Sequence, residues 1–120
     1  MFATLLQVAL GGAIGASARY AAGVGIVRLA GHGGFPLGVI TVNILGSFLM
    51  GVFVVAAAHR GLTHLSPFVM TGILGGFTTF SAFSLEAVTL YERGDLSGAV
   101  LYGVAAVVCS MFGLLLGLWL

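Results

Sequence analysis

Charge is what this sequence has least of. Among 120 residues there are three acidic and four basic ones, 6% in all, against 60% hydrophobic, whereas a soluble surface carries roughly 25 to 35% charge. That excludes a water-soluble domain and puts the chain in a bilayer. A single cysteine, Cys109, excludes an intramolecular disulfide framework, says nothing of redox compartment and reads as a small packing residue. The two prolines, Pro36 and Pro67, both fall where a helix begins and suit its first turn. The N-terminus has no basic region, and no A-x-A type site follows its first apolar run, so no cleaved signal peptide is expected. His59 and His64 are five apart and have neither cysteine nor carboxylate beside them, so their loop is not a metal site. With no nucleophile, catalytic base or metal-ligand set, the chain does not read as an enzyme.

What is present is long apolar runs. At ~20 apolar residues per crossing, the chain has room for four spans and short connections. These are expected at about 4–27, 35–58, 67–90 and 98–120, a single four-span transmembrane domain over 1–120. Gly31-His32-Gly33-Gly34 signals a turn, with Pro36 at the start of the second span. Ser66 before Pro67 reads as an N-cap. Glu92-Arg93-Gly94-Asp95 ends the third span, Asp95 or Ser97 caps the fourth, and Trp119 suits an aromatic belt.

The stretch Gly72 to Ser84 is where a spanning helix should be smoothest and is not. Gly75-Gly76 is costly in a helix, and Thr78, Thr79, Ser81 and Ser84 compete for backbone groups. The expectation is a broken helix facing a partner or a pore, since irregular backbone cannot face lipid. Gly72 and Gly76 also make a GxxxG pair, so a small-residue packing face is the alternative. Arg19 in the first span either snorkels to the interface, projects into a wet cavity or pairs with a partner. Asn43 is either interhelical glue or a pore-lining donor. Phe80 and Phe83, three apart, share a helix face and either pack or line a path. The burial of Glu86, seven residues before Arg93, is left open.

Glycine, 20 of 120 residues, is more than twice its ~7% average. Gly11-Gly12-Ala13-Ile14-Gly15-Ala16 and the pair Gly113 and Gly117 are close-approach faces for neighbouring helices. With four spans, Arg28 and Arg93 lie on one side of the membrane, and Arg60 lies on the other with both termini. Orientation is then nearly unspecified by positive charge. Two oppositely oriented copies would assemble about an axis in the membrane plane, giving from two chains the inverted repeat that many transporters build in one.

Gly11 to Tyr20, then Pro36 to Asn43 followed by Gly46-Ser47-Phe48, then Gly75-Gly76-Phe77-Thr78-Thr79-Phe80-Ser81-Ala82-Phe83-Ser84-Leu85-Glu86 resemble the successive signatures of the small fluoride channels of the CrcB/Fluc family. The resemblance covers essentially the whole chain. It implies an all-α membrane protein with a broken third helix, assembled as an antiparallel, dual-topology homodimer. The implied activity is passive, fluoride-selective export from the cytoplasm through the bacterial inner membrane. It also implies a structural sodium ion at the dimer centre, held by the backbone carbonyls of Gly75 and Thr78. Matched residue by residue, Asn43, Phe80, Phe83, Ser81 and Ser110 fall at pore positions and Arg19 at the vestibule arginine. Two positions depart from the family pattern: Val39 and Ala82 stand where hydroxyl residues are common.

The chemistry suits a small, strongly hydrated anion, because aromatic edges are positive and amide and hydroxyl donors replace lost water. A narrow path would exclude larger halides. The alternative is a small dual-topology, proton-coupled multidrug exporter, but that mechanism needs a carboxylate in the first helix, where this chain has Arg19. A packing subunit of a larger complex would explain the glycines but not Asn43 or the phenylalanine pair.

Overall fold

The computed structural model describes residues 1–30 and 37–120. The turn expected at Gly31-His32-Gly33-Gly34, the span start at Phe35 and the helix-initiating Pro36 lie outside the described residues. Four helical segments are long and apolar enough to cross a membrane. The first is α1 (Phe2–Ala30), the second α2 (Leu37–Arg60). The third span is composite: a π-helical segment (Pro67–Leu74), one α-helical turn α3 (Gly75–Phe77), then α4 (Phe80–Glu92). The last is α5 (Leu96–Trp119). The long axis is 48 Å, enough for the ~30 Å hydrocarbon core and its interfaces.

The helices begin and end for local reasons. After α2, Gly61 takes φ +67° and the Leu62 N–H donates to the Ala57 carbonyl at 3.0 Å. After α4, Gly94 takes φ +84° and the Asp95 N–H reaches the Leu90 carbonyl at 3.0 Å. Both are glycine C-caps in the left-handed region, where a Cβ would be strained. Asp95 then starts α5, its Oδ1 accepting from the Gly98 N–H at 2.8 Å; Ser97 lies inside the helix. The cap expected from Ser66 is not made. A short 3₁₀ turn (Thr63–Leu65) leads into Ser66, which is itself helical (φ −55°, ψ −43°), and its side chain makes no capping bond.

The third span is broken, but not at the glycines. Gly75 is helical (φ −63°, ψ −38°), and the extended residues are Thr78 (φ −94°, ψ 160°) and Thr79 (φ −153°, ψ 126°). β-Branched residues fit extended backbone, while Gly72 and Gly76 are used where α1 comes close. A Cβ on Gly72 would lie 2.9 Å from the Gly11 Cα, and one on Gly76 2.7 Å from the Gly12 carbonyl oxygen. Gly15 sits so tightly against the Ile73 carbonyl that a Cβ would overlap it. Both readings of the stretch therefore hold at once, displaced by two residues: packing at Gly72 and Gly76, the break at Thr78 and Thr79.

These contacts advance together along both segments, so α1 runs parallel to the first half of the third span. The same holds for α2 and α5, where Gly113 meets Ile44, and Gly117 meets Phe48, Gly51 and Val52. Small residues let backbones approach in a solvent of lipid, where apolar burial gives helices little reason to associate. The buried cluster Ile40, Leu90, Tyr102 and Ala106 ties α4 to α2 and α5, with Phe83 packed against it.

Replacing Gly15 with Val should therefore force α1 off the third span, at the order of 1–3 kcal/mol for overpacking. Gly25→Ala, where a Cβ meets nothing within 4 Å, should be neutral or slightly stabilising. Thermal unfolding of the two purified variants in detergent checks this. Equal midpoints would remove the glycine contact as a packing determinant.

Candidate functional site

The break is held open by side chains from two neighbouring helices. Asn43 on α2 grips the Thr79 peptide at two points: its Nδ2–H donates to the Thr79 carbonyl at 2.9 Å, and its Oδ1 accepts the Thr79 N–H at 2.8 Å. The amide replaces, in both directions, the partners that a regular helix would have given Thr79. From α1, the Arg19 Nε–H donates to the Gly76 carbonyl at 3.0 Å. Of the three readings open for Arg19, the structure supports pairing: the guanidinium turns inward to the third span. The remaining N–H donors of that planar fork have no partner among the described residues.

Around these contacts the helical ladder is rerouted. In a helix the carbonyl of residue i accepts from the N–H of residue i+4. For Gly75 that donor is the Thr79 N–H, taken by Asn43 Oδ1. For Thr78 it is the Ala82 N–H, which goes to Thr79 Oγ1 at 3.1 Å and so N-caps α4. The Leu74 carbonyl, by contrast, accepts from both the N–H and the hydroxyl of Thr78, at 3.0 and 2.9 Å. Among the carbonyls at the break, those of Gly75 and Thr78 thus have ladder donors that side chains take, and both are hard oxygen donors. Among the described residues no group of three His, Cys, Asp or Glu comes together.

Below the break, α2, α4 and α5 enclose an open groove of about 370 Å³. Asn43, Phe80, Phe83 and Ser110 line it, with Ser47, Thr78, Thr79, Met50 and Met111. Phe80 and Phe83 sit 5.4 Å apart between ring centroids, tilted at 47°. Phe83 continues into Tyr102, again at 5.4 Å and stacked at 26°. Tyr102 is fully buried, whereas Phe80 is 76% exposed. Ser81 stands beside the groove, exposed, its hydroxyl 3.2 Å from Thr79 Oγ1. Four of the five residues expected at the pore therefore share one groove, and the fifth borders it.

Four residues in or beside the groove were not foreseen. Tyr102 is one of the few polar side chains of the fourth span, and its stacking on Phe83 depends on the α4–α5 hairpin register. Thr79 was read as one competing hydroxyl among four, not as the residue whose backbone is clamped. The two methionines are indistinguishable in the sequence from other apolar residues of a span. Glu86, left open above, is half-buried, with Oε2 buried and without a hydrogen-bond partner among the described residues.

The break also presents an exposed side. Thr71, Gly75 and Ser81 are all exposed within a segment long and apolar enough to span the membrane, where open backbone and hydroxyls facing lipid are costly.

Comparison with known proteins places the chain in a family. The model of the family described as CrcB-like protein, Camphor Resistance (CrcB), matches residues 6–118. A fluoride-specific ion channel FluC of Ruegeria sp. (strain TM1040) is 67% identical over 98% of this chain and 94% of its own length. One of Roseobacter denitrificans is 64% identical over 97% and 93%, and one of Mesorhizobium japonicum 49% identical over 97% and 94%. The match runs through all four spans and includes the clamp, the break and the groove, and the chain belongs to the CrcB family.

Proposed function

We propose that this protein is a fluoride-selective channel that lets fluoride leave the cytoplasm passively, and that it is not an enzyme. The observation that carries the reading is the groove, where an aromatic pair, an amide and hydroxyls converge at a helix break inside a multi-pass membrane protein. Fluoride must shed water to pass. The second Nδ2–H of Asn43, the one not engaged by Thr79, and the Ser110 hydroxyl supply donors, with Ser81 at the margin. The positive edges of Phe80 and Phe83 continue the path between them. The N-terminus of α4 directs its positive dipole end at the same place. Conduction requires that such binding be weak enough for the ion to leave. Arg19, with its unused donors, would raise the local concentration of anions at the mouth.

The groove in one chain is open, and its rim carries Phe80 and the exposed backbone and hydroxyls of the break. A second copy in the opposite orientation would cover that side. The near-balance of Arg28 and Arg93 against Arg60 supports both orientations. Each chain then contributes one groove, and the Gly75 and Thr78 carbonyls of both meet at the centre. Those oxygens would hold a sodium ion, which neutralises carbonyl dipoles left without ladder donors and adds positive charge near the anion path. A bacterial inner membrane is the setting in which such export lowers fluoride toxicity.

Two measurements test the reading. Phe80→Ile and Phe83→Ile dimers in liposomes, with fluoride efflux followed under a potassium diffusion potential, should lose at least about tenfold of the parent flux, since removing the ring edge removes the group that faces the ion. Asn43→Asp should be more damaging than Asn43→Ser, because it places an anionic oxygen in the path, and chloride efflux should stay at background throughout. Correctly assembled aliphatic variants that conduct at the parent rate would rule out the aromatic path.

For assembly, a C-terminal tag probed from each side of the membrane should be accessible in about equal populations. A single orientation in all molecules would exclude the antiparallel dimer.

A further inference from the structure

We infer that Asn43 is a positioning residue for the cation at the break: by engaging the Thr79 N–H, it keeps the Gly75 carbonyl out of the helical ladder and free to bind the ion. The inference rests on the cation reading proposed above and assigns Asn43 a second role besides its remaining N–H donor in the groove.

The argument is one of competition for a single hydrogen. If the Thr79 N–H were released, its nearest regular partner would be the Gly75 carbonyl, four residues back, and the helix would close over the break. Asn43 Oδ1 prevents this by accepting that hydrogen at 2.8 Å, and Nδ2 fixes the other face of the same residue at 2.9 Å. The grip holds Thr79 extended. That conformation in turn brings Thr79 Oγ1 onto the Ala82 N–H, which is the ladder donor of the Thr78 carbonyl. One side chain thus governs both carbonyls, directly for Gly75 and through Thr79 for Thr78. Gly76, between them, is taken by Arg19 and does not compete for the ion. Gly46 makes room for the arrangement, since a Cβ there would collide with the Thr78 methyl group. The decisive atom is the acceptor Oδ1, not the donor Nδ2. The two roles of Asn43 therefore separate by substitution: aspartate keeps an acceptor for Thr79 and spoils the anion path, while alanine removes both.

The test is equilibrium binding of radiolabelled sodium to detergent-solubilised dimers, with N-methylglucamine as the replacing cation, alongside the sodium dependence of dimer stability. The parent should bind one sodium per dimer. Asn43→Ala should raise the half-saturating sodium concentration about tenfold, the order of one hydrogen bond. Asn43→Asp should stay within about twofold of the parent or bind more tightly, although its fluoride flux is lost. A purely structural role would lower stability equally with and without sodium and leave the half-saturation unmoved. That result for Asn43→Ala, with the parent still binding, overturns the inference and leaves the cation reading standing. A parent that binds no sodium overturns both. If Asn43→Ala fails to form dimers, Asn43→Asp decides: loss of sodium binding with the acceptor intact overturns the inference, and retention supports it.

Discussion

Everything in this fold follows from one constraint: in hydrocarbon, a backbone polar group that leaves its helical partner must be given another. The third span opens at Thr78 and Thr79, and side chains meet part of the cost. Asn43 returns to Thr79 both a donor and an acceptor, Thr79 returns an acceptor to Ala82, and Arg19 takes the Gly76 carbonyl. A break so equipped is stable within one chain. It also sorts charge: the end of α3 presents carbonyl oxygens and the start of α4 presents N–H groups, so an electronegative and an electropositive backbone end lie a few residues apart.

The packing serves that division. Parallel pairing of α1 with the first half of the third span puts Arg19 level with Gly76, and parallel pairing of α2 with α5 puts Asn43 and Ser110 along one groove. The α4–α5 hairpin then brings Phe83 onto Tyr102 and leaves Phe80 outward. A single chain thus satisfies both main-chain groups of Thr79 through Asn43, while the rim of the groove stays exposed at Phe80.

Much of this was legible in the sequence because membrane spans are set by length and apolarity, both of which are one-dimensional. The spans, the Asp95 cap and the glycine faces needed no knowledge of depth or register, whereas Asn43, Phe80, Phe83 and Ser110 were set apart as a group only by the family resemblance. The errors arose where tertiary contact decides. The break expected within Gly72 to Ser84 is there, but tertiary contact chose its residues: α1 needs Gly76 small and helical, and the chain opens at Thr78 and Thr79. Ser66 had a capping residue's identity, but the preceding 3₁₀ turn supplied the helix start. The alternatives for Asn43, glue or pore donor, turned out not to exclude each other in geometry, because one amide has two hydrogens and only one is engaged by Thr79. Nothing in the spacing of Tyr102 to Phe83, far apart along the chain, could announce their stacking.

The glycine contacts carry a consequence for tolerance. Where Gly11, Gly15, Gly72, Gly76, Gly113 and Gly117 meet a neighbouring helix, the touching surfaces are largely main chain on both sides. Main-chain atoms have no rotamers, so the interhelical distances are set by fixed van der Waals radii and not by how side chains happen to settle. The groove inherits its width from those distances. Its calibre is in effect referred to a built-in length standard that neither the fluidity of the lipid nor the exchange of one exposed apolar residue for another can rescale.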